Sequence, residues 1–378
     1  MMFEKIKKYA VAFPIVVIFF VFLFGIAILD VFWPKRAHSE MENRDLDQLP
    51  AVTVKDLLSN KWMSDYGDYV KDQFVLRDEW ISLKSRSEYL LAKTENNGVW
   101  YGKDNYLFTK FLDVNESRLE KNITLLADFA QRNAGKVNVM IVPSASNILA
   151  SKLPWQAPVP DENAWLDKIA STLDGKATVY DMRSEYAQYI DDYIYYRTDH
   201  HWTTYGAYLA YTAFAQDKGL PLFDTETNTA VDVTGFLGTN FSKTRNWNVV
   251  ADTLTYYPLD NVLTMRSEDA ATIENNGAMY NTEKLDVRDK YAMFLYGNNG
   301  YSTLQGNGNG SILVIKDSYA NCFIPFLTAD YANIGIIDLR NYNGSMDELI
   351  AQEGYDEVLV LYNFQSFMED KTVAGLRK

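Results

Sequence analysis

Four short apolar runs alternate with helix-like stretches in this chain, and this alternation constrains the fold more than any other feature. The runs cover residues 137–142, 311–316, 334–339 and 357–362. Each is short and apolar, as expected of a strand that is buried on both faces. Strands that alternate with helices predict an α/β fold with a mostly parallel sheet, flanked by helices and wound with right-handed crossovers.

The other predicted elements fit around this sheet. Apolar positions at helical spacing predict helices over about 61–95, 116–133, 161–173, 183–192 and 203–217, from about 319, and near 345–352. A hairpin is expected where residues 99–101 and 106–108 flank a glycine-containing turn, and a short strand at 178–180. Residues 218–305 are rich in Thr, Asn, Gly and Asp, so we interpret them as an irregular β-rich insertion between two halves of the domain.

Composition excludes some classes of function. The chain of 378 residues is 47% apolar and 14% aromatic, which is enough for a large core. Its net charge of −14 argues against a nucleic-acid partner, because phosphates require a basic surface. Cys322 is the only cysteine, so neither an intrachain disulfide nor a cysteine metal cluster can form.

An apolar segment of about 21 residues, 9–29, lies near the N-terminus and is long enough to span a bilayer as a helix. Lys5, Lys7 and Lys8 precede it and favour a cytoplasmic N-terminus. A cleaved signal peptide is the alternative, but this segment is longer than a usual signal core and no clear cleavage site follows. We predict that the chain after about residue 35 is extracytoplasmic. The predicted parts are a membrane anchor over 1–34, a stalk and helical segment over 35–95, and an α/β domain over 96–378.

Residues 199–202, Asp-His-His-Trp, are the strongest indication of chemistry. The chain has only three histidines, and two of them lie here beside a carboxylate. Histidine titrates near neutral pH, so acid–base chemistry through histidine is expected at this point. Asp199 and His201 are two positions apart, and an extended loop would direct both side chains to one side. We predict that His201 is a general base and that Asp199 orients its ring.

Two polar residues follow predicted strands, where parallel α/β sheets place their sites. Ser318 comes after the run 312–315 and opens a predicted helix, so its hydroxyl is expected on an exposed strand-to-helix turn. Asn363 follows the run 358–362, and its amide could donate to an oxyanion. A serine nucleophile needs an imidazole to take its proton, and its tetrahedral intermediate needs a hydrogen-bond donor. These residues together predict a serine-nucleophile site.

Each of these residues has a simpler interpretation when it is taken alone. Ser318 could cap a helix, and Asn363 could be an ordinary turn residue. Trp202 is expected to pack under its loop rather than to bind substrate. Two histidines and an aspartate could ligate a metal, but the sequence has no third histidine nearby and no paired carboxylates. We therefore predict no metal and no cofactor.

Residues 196–203, Tyr-Arg-Thr-Asp-His-His-Trp-Thr, resemble the signature of the bacterial DHHW protein family. That family is similar to the SGNH-hydrolase-like alginate O-acetylation proteins of the periplasm. The resemblance covers most of the chain after the anchor, and Asp199-x-His201-Trp202 is its most specific part. The other matching features are residues 42–44 with Leu46 and Pro50, residues 72–74 with Arg77, and residues 102–108.

The resemblance implies an SGNH-hydrolase-like domain with a permuted block order, in which the Asp-x-His pair precedes the nucleophile. Ser318 then matches the nucleophilic serine, Asn363 the oxyanion asparagine, and Asp199 and His201 the last block. The backbone N–H of Ser318 is the second expected oxyanion donor. The local sequences differ from typical members, since the serine lies in Lys-Asp-Ser-Tyr instead of Gly-Asp-Ser and no Gly-x-Asn-Asp surrounds the asparagine. The residues expected to support the site are His200, Trp202 and Arg197.

The resemblance also implies a function, namely an anchored serine O-acetyltransferase or acetylesterase that acts on a cell-surface or exported polysaccharide. A multispanning membrane acyltransferase is the implied acetyl donor. The charge of −14 does not suit a strongly anionic glycan. Trp247, Tyr256 and Tyr257 could stack on sugar rings, although core packing is the commoner role. The alternative is a catalytically inactive scaffold that binds glycan or an assembly partner. In a scaffold we expect His201 and Ser318 more than about 6 Å apart, outside hydrogen-bond reach.

Overall fold

The computed structural model describes residues 12–266 and 273–377, with residues 273 and 274 described by their backbone only. The chain forms two compact units, Met1–Leu91 and Ala92–Lys378. The predicted anchor and residues 35–91 of the predicted stalk and helical segment fall within the first unit, whereas residues 92–95 belong to the second. Their boundaries at residues 34 and 95 stay predictions.

The first unit consists mainly of helices in its described part. Its elements are α1 (Pro14–Phe32), β1 (His38–Ser39), β2 (Arg44–Asp45), α2 (Val54–Leu58), α3 (Lys61–Gln73) and α4 (Arg77–Leu90). Among the described residues, α1 is the one helix that is long and apolar enough to cross a membrane, and none of its residues is buried. A secretory signal would have the same character. Lys5, Lys7 and Lys8, which predicted the orientation of this helix, lie outside the described residues.

The predicted single helix over residues 61–95 is wrong, because the structure has two helices with a sharp turn between them. Leu76 adopts a left-handed backbone conformation with φ of 53°, which interrupts a right-handed helix. The N–H of Val75 donates to the side chain of Asp30 at 2.7 Å instead of to a helical carbonyl. Apolar residues keep a helical spacing on both sides of this turn, so periodicity alone does not reveal it.

The motif segments of the first unit meet in a cluster of ion pairs. Arg44 binds Asp72 through both terminal nitrogens, at 2.5 and 2.8 Å. Arg77 contacts Glu42 at 2.9 Å and Asp72 at 3.4 Å. Burial of Asp72 opposes its ionisation, but the hydrogen bond from Arg44 and the neighbouring positive charges hold the pKa of Asp72 below its usual value. The cluster therefore ties the segment around β2 to the end of α3 and the start of α4.

The second unit contains the predicted alternation of strands and helices. Its strands are β3 (Glu95–Asn96), β4 (Val99–Tyr101), β5 (Leu107–Thr109), β6 (Val137–Val142), β7 (Thr178–Val179), β8 (Val231–Phe236), β9 (Asp252–Tyr256), β10 (Val262–Arg266), β11 (Ile273–Ala278), β12 (Tyr301–Gln305), β13 (Ser311–Lys316), β14 (Asn333–Ile337) and β15 (Glu357–Asn363). Its helices are α5 (Glu116–Arg132), α6 (Ala145–Ile148), α7 (Glu162–Leu173), α8 (Arg183–Gln188), α9 (Thr204–Lys218), α10 (Thr239–Thr244), α11 (Ile324–Leu327), α12 (Met346–Glu353) and α13 (Phe364–Glu369). The predicted hairpin is confirmed as β4 and β5. The predicted helices α5, α7, α9 and α12 are also confirmed, whereas α8 ends earlier than predicted.

A mixed sheet of eight strands dominates this unit, in the order β11-β10-β12-β14-β13-β15-β6-β7. The five strands from β14 to β7 run parallel to one another. The strands β12, β10 and β11 extend the sheet in antiparallel fashion from β14. The predicted α/β class is confirmed. The predicted insertion over 218–305 supplies the three antiparallel strands, so it extends the sheet as well as forming loops and the pair β8 and β9.

Both faces of the central strands are buried, which explains their almost continuous apolar sequence. Along β13, Ile312 and Val314 face one apolar cluster, whereas Leu313 and Ile315 face the other. α9 packs in the first cluster, and α5 and α7 pack in the second. Each buried aliphatic side chain contributes about 1.5–3 kcal/mol through its removal from water. These strands therefore form a rigid support for the loops at their C-terminal ends.

A buried carboxyl group links α7 to the loop after β6. Glu162 begins α7 and is only 3% exposed. It accepts hydrogen bonds from the backbone N–H of Ser144 at 2.8 Å and from the Ser144 hydroxyl. Burial raises the pKa of Glu162 to about 7, and these hydrogen bonds offset only part of that rise. Folding therefore favours the protonated form of this side chain.

We expect Glu162→Gln to remove a pH-dependent loss of stability. The folded protein keeps the Glu162 proton up to a pH of about 7, whereas the unfolded chain releases it near its ordinary pKa of 4.5. The free energy of unfolding should fall as the pH rises through this window, by roughly 3 kcal/mol from this group. A glutamine cannot ionise and can keep both hydrogen bonds to Ser144. The free energy of unfolding of the variant should therefore not show this part of the decrease with pH. Denaturant titrations of the detergent-solubilised chain between about pH 4 and about pH 8 measure the difference.

Glu120→Gln is the matched control, because it removes an exposed carboxyl group from α5 and reports the effect of lost surface charge. The stability difference between the Glu162→Gln variant and the wild type should change across the pH range. If it is equal at both ends, the result contradicts the raised pKa of Glu162.

Candidate functional site

The candidate nucleophile lies at the C-terminal end of the central strand β13. Ser318 opens a 3-10 turn, Ser318–Cys322, in place of the predicted start of an α-helix. Asp317 accepts hydrogen bonds from the N–H of Tyr319 at 2.9 Å and from the N–H of Asn363 at 3.0 Å. Asp317 is 1% exposed, and burial raises its pKa. Asp317 therefore fastens the Ser318 turn to the end of the neighbouring strand β15.

Lys316 stands where the resemblance to SGNH hydrolases implies a glycine, and its side chain is directed to Asn298 and Asp338. It is buried and donates to the side-chain oxygen of Asn298 at 2.9 Å. Its ammonium nitrogen lies 3.8 Å from Asp338, which is itself paired with Arg340. Burial lowers the pKa of Lys316 to about 8. The unusual lysine therefore anchors the nucleophile strand through a buried ion pair.

The structure brings His201 to Ser318, although 117 positions separate them. Nε2 of His201 lies 2.7 Å from Oγ of Ser318, within hydrogen-bond distance. The loop that carries His201 lies between α8 and α9, and an isolated antiparallel bridge between Tyr195 and Trp202 closes it. The separation expected of a scaffold is therefore not observed.

Asp199 holds the other side of the His201 ring. Its Oδ1 lies 2.5 Å from Nδ1 of His201 and also accepts the His201 backbone N–H at 2.9 Å. Burial raises the pKa of Asp199, but the charges of His200 and His201 and the hydrogen bonds outweigh it and hold the pKa well below its usual range. An ionised carboxylate only accepts, so Nδ1 carries a proton and Nε2 of a neutral ring is free to accept from Ser318.

Gly238 allows the second oxygen of Asp199 to reach the backbone. The N–H of Thr239 donates to Oδ2 of Asp199 at 2.7 Å. A Cβ atom at Gly238 would lie 2.2 Å from the same Oδ2, which is far inside van der Waals contact. Glycine is therefore required here for close approach rather than for backbone freedom.

Asp252 is a supporting residue that sequence reasoning missed. It is fully buried and accepts from the N–H groups of Arg197 and Thr198, at 2.8 and 2.7 Å, and from the Thr198 hydroxyl at 2.6 Å. The hydroxyl of Tyr193 also donates to it. These bonds fix the backbone just before Asp199. Because Asp252 lies within the irregular stretch, no motif in the sequence marked it.

Tyr291 is a second residue that the sequence did not reveal. Its ring stacks on His201, with ring centres 4.0 Å apart and planes 15° from parallel. Its hydroxyl donates to the backbone carbonyl of Ser318 at 3.0 Å. Tyr291 thus contacts both His201 and the Ser318 segment, and it restricts the imidazole to one orientation.

The three predicted supporting residues have different positions. Trp202 is fully buried under the loop, and its indole N–H donates to the carbonyl of Tyr319 at 2.8 Å. His200 has its ring centre 3.9 Å from that of His201 and keeps 37% of its side chain exposed. Partial burial and the neighbouring His201 lower the pKa of His200, so it is neutral at pH 7. The guanidinium of Arg197 lies over the rings of Tyr193 and Tyr106, and its backbone supports the loop.

Asn363 lies at the end of β15, the strand next to β13, and is 5% exposed. Its side-chain oxygen accepts from the N–H of Gln365 at 3.0 Å and so caps α13. Its amide nitrogen donates one hydrogen to the carbonyl of Val142 at 3.3 Å. The second amide hydrogen is the donor that the predicted oxyanion role requires.

A small cleft lies beside these residues and has a volume of about 30 Å³. That space is comparable to about two water molecules, so a sugar ring would remain outside it. Tyr256 and Tyr257 pack against the apolar core, and Trp247 keeps 53% of its surface exposed. The polar side chains that line the cleft belong to Thr109, Ser144, Ser146, Asp199, His200, Asn240, Tyr319, Asn363 and Gln365.

The side chains of Asp199, His200 and His201 have ligand atoms within 4.8 Å of one another, so they were tested as a metal site. Nδ1 of His201 and Oδ1 of Asp199 are only 2.5 Å apart. Two ligands of one zinc ion, each at about 2.0–2.2 Å in tetrahedral geometry, would be separated by roughly 3 Å or more. The distance therefore fits a hydrogen-bonded pair better than a metal site.

Comparisons with known proteins agree with this architecture. Among solved structures, the chain is similar to a DHHW family protein from Eubacterium siraeum DSM 15702, with 22% identity, a TM-score of 0.65 and coverage of 75% of this chain and 96% of that one. It is similar to Bacillus cereus PatB1 with a sulfonyl adduct, with 17% identity, a TM-score of 0.60 and coverage of 72% and 97%. The O-acetyltransferase domain of Pseudomonas putida AlgJ matches with 15% identity, a TM-score of 0.44 and coverage of 74% and 98%. No curated protein gives a significant match.

The family model for the DHHW protein matches residues 115–337, which is more than half of the chain. This stretch contains the Asp-His-His-Trp loop, Ser318 and most of the sheet. The resemblance inferred from the sequence is confirmed: the chain belongs to the DHHW protein family.

Proposed function

We propose that the protein is a serine O-acetyltransferase or acetylesterase in which Ser318, His201 and Asp199 form the catalytic triad. The observation that carries the proposal is the continuous hydrogen-bonded chain from Ser318 Oγ to His201 Nε2 at 2.7 Å and from His201 Nδ1 to Asp199 at 2.5 Å. A nucleophile, a base and an orienting carboxylate in this order are what acyl transfer through serine requires. Family membership and the likeness of the fold to PatB1 are compatible with this proposal.

The proposed reaction begins when His201 takes the proton of Ser318 and Oγ bonds to the acetyl carbonyl carbon. When the tetrahedral intermediate collapses, the bond to the leaving oxygen breaks and His201 returns the proton to that oxygen. This leaves an acetylated Ser318. A sugar hydroxyl or water then attacks the acetyl carbon and gives its proton to His201, and Ser318 Oγ leaves and regains a proton. A sugar acceptor gives transfer, and water gives hydrolysis.

Two donors are proposed to stabilise the oxyanion, the second amide hydrogen of Asn363 and the backbone N–H of Ser318. Asn363 lies on the strand adjacent to β13, and Asp317 binds its backbone N–H. Asp317 thereby couples the positions of the nucleophile and the proposed donor. Preorganised donors of this kind usually lower the barrier by about 2.7–4 kcal/mol each.

The substrate class follows from the resemblance to alginate O-acetylation proteins, so we propose a cell-surface or exported polysaccharide. The apolar helix α1 is proposed to anchor the chain, with the second unit outside the cytoplasm and a multispanning membrane acyltransferase as acetyl donor. The net charge of −14 favours a glycan that is not strongly anionic.

Ser318→Ala should abolish acetyl-ester turnover, because no other group supplies the proposed nucleophile. We expect kcat to fall on the order of 10⁴-fold or more. PatB1 was obtained with a sulfonyl adduct, so a sulfonyl fluoride is a suitable covalent probe. Intact mass should show one adduct on the wild type and none on the variant. Ser171→Ala, at an exposed position of α7, is the matched control and should keep both activity and labelling. Equal turnover by the wild type and the Ser318→Ala variant would contradict the proposal and favour a scaffold.

Asp199→Asn should reduce kcat by about 10⁴-fold, because an amide can donate to Nδ1 and leave the proton on Nε2, where it blocks the base. Steady-state kinetics on an acetyl ester measure this effect, and sulfonyl labelling of Ser318 should slow in parallel. Asp128→Asn, on the exposed face of α5, removes the same charge away from the site and should retain full activity. A loss of less than about tenfold in the Asp199→Asn variant would mean that Asp199 does not orient the base.

Asn363→Ala should lower kcat by about 10²–10³-fold and leave KM nearly unchanged, because the proposed donor acts on the transition state. The variant also loses a helix cap, which costs about 1 kcal/mol of stability. Asn115→Ala is the matched control, since Asn115 caps α5 through the same side-chain oxygen, at 3.1 Å from the Arg118 nitrogen. It should lose similar stability and keep its kcat. Equal kcat in the two variants would exclude the oxyanion role of Asn363.

A further inference from the structure

α4 carries an apolar stripe on its exposed side, which Ser87 interrupts between Leu83 and Leu90. Within the helix, Trp80, Leu83 and Leu90 are spaced by three and seven, so they lie within about a quarter of the helix circumference. Leu76 directly precedes the helix, and Leu91 directly follows it. The stripe residues are 40–79% exposed. The members of this stripe are Leu76, Trp80, Leu83, Leu90 and Leu91.

The opposite side of α4 is the side that packs inward. Ser85 lies there and is 1% exposed. α3 has a shorter apolar row of the same kind, in which Met63, Tyr66 and Val70 are 37–57% exposed. Exposed apolar patches of this extent on a soluble surface usually mark a contact with a partner or a membrane.

The turn between α3 and α4 is hydrogen-bonded to the last turn of the apolar helix α1 and to the residues that follow it. The side chain of Asp30, near the end of α1, accepts the N–H of Val75 at 2.7 Å. The amide of Gln73 binds the backbone of Arg36 twice, at 2.9 and 2.7 Å. The ammonium of Lys35 donates to the carbonyl of Gln73 at 3.2 Å. Leu76, the first residue of the stripe, therefore directly follows Val75, whose backbone is hydrogen-bonded to the end of α1.

Charges beside the stripe are balanced. Lys84 and Arg86 offset Glu79 and Glu88 along α4. A helix that binds membranes mainly through anionic lipids has an excess of lysine and arginine on its polar face, and α4 does not. Contact through the apolar side chains is therefore the interaction that this sequence supports.

We propose that the stripe on α4 lies in the interfacial layer of the bilayer leaflet from which α1 emerges. This proposal rests on the membrane-anchor part of the proposed function. Trp80 would sit at the headgroup level, as tryptophan does at membrane interfaces, and the leucines would contact the upper acyl chains. Because the charges beside the stripe are balanced, phosphatidylcholine alone should be sufficient.

The test uses the full chain in phosphatidylcholine vesicles, with an environment-sensitive fluorophore at a single introduced cysteine. Leu83→Cys places the probe on the stripe, and Arg86→Cys places it on the charged flank of the same helix. Cys322 should stay unlabelled because it is buried, and burial raises the pKa of its thiol to about 12. Nitroxide groups on the lipid acyl chains and iodide in the water are the two quenchers.

We expect lipid quenching to be several-fold stronger, and iodide quenching several-fold weaker, for the probe at position 83 than for the probe at position 86. Equal iodide access at both positions would overturn the proposal. Shielding of position 83 from both quenchers would also overturn it, because a protein surface would then cover the stripe. Release of the chain by an alkaline wash would refute the anchor and the interfacial stripe together. If the chain is retained after the wash but the lipids do not quench the probe at position 83, the interfacial position of the stripe is refuted and the anchor is not. Acetyl-ester turnover in detergent tests the proposed triad separately.

Discussion

The hydrogen bond between His201 and Ser318 joins segments 117 positions apart, and the organisation of the candidate site depends on it. Strand pairing does little to hold the His201 loop, which has one isolated bridge. Buried carboxyl groups hold both segments by accepting backbone N–H groups. Asp199 and Asp252 hold the His201 loop, and Asp317 holds the Ser318 turn. A buried carboxylate without partners costs several kcal/mol, whereas each hydrogen bond to a charged group contributes about 1.5–3 kcal/mol. The loops are therefore stable where all three carboxyl groups are satisfied.

These carboxyl groups have similar burial and different electrostatics. Asp317 and Asp252 have raised pKa values, because burial outweighs their hydrogen bonds. Asp199 has a strongly lowered pKa, because two histidines and several donors outweigh the same burial. The Asp199 carboxylate thus keeps its negative charge beside the His201 ring, where it would stabilise an imidazolium cation. The contrast distinguishes the carboxylate that binds the His201 ring from two carboxyl groups that bind backbone N–H groups of other segments.

The first unit follows different physical rules. α1 is apolar on all sides, whereas α4 is apolar on one exposed stripe and packed on the other side. The ion pairs between the β2 segment and the ends of α3 and α4 give the unit its form without a large apolar core. These features differ from those of the second unit, whose central strands are buried on both faces.

Local sequence determined the elements and the chemical types at the site. Short apolar runs predicted β6, β13 and β15 because strands buried on both faces need apolar residues at every position. The Asp-x-His pair and a serine after a strand predicted which residues form the candidate site, since parallel strands bring their C-terminal ends to one edge. Periodicity failed at Leu76, where a left-handed residue reverses the chain while the apolar spacing continues.

Tertiary structure alone decided which distant groups meet. Asp252 and Tyr291 lie in the predicted insertion over 218–305. Nothing in their local sequence indicates that they contact the His201 loop. Glu162 begins α7 like an ordinary first-turn acid, and only its burial against Ser144 raises its pKa. The sequence specifies the chemical type of each side chain. Desolvation and hydrogen-bond partners arise from packing between segments far apart in the chain, so they exist only after folding.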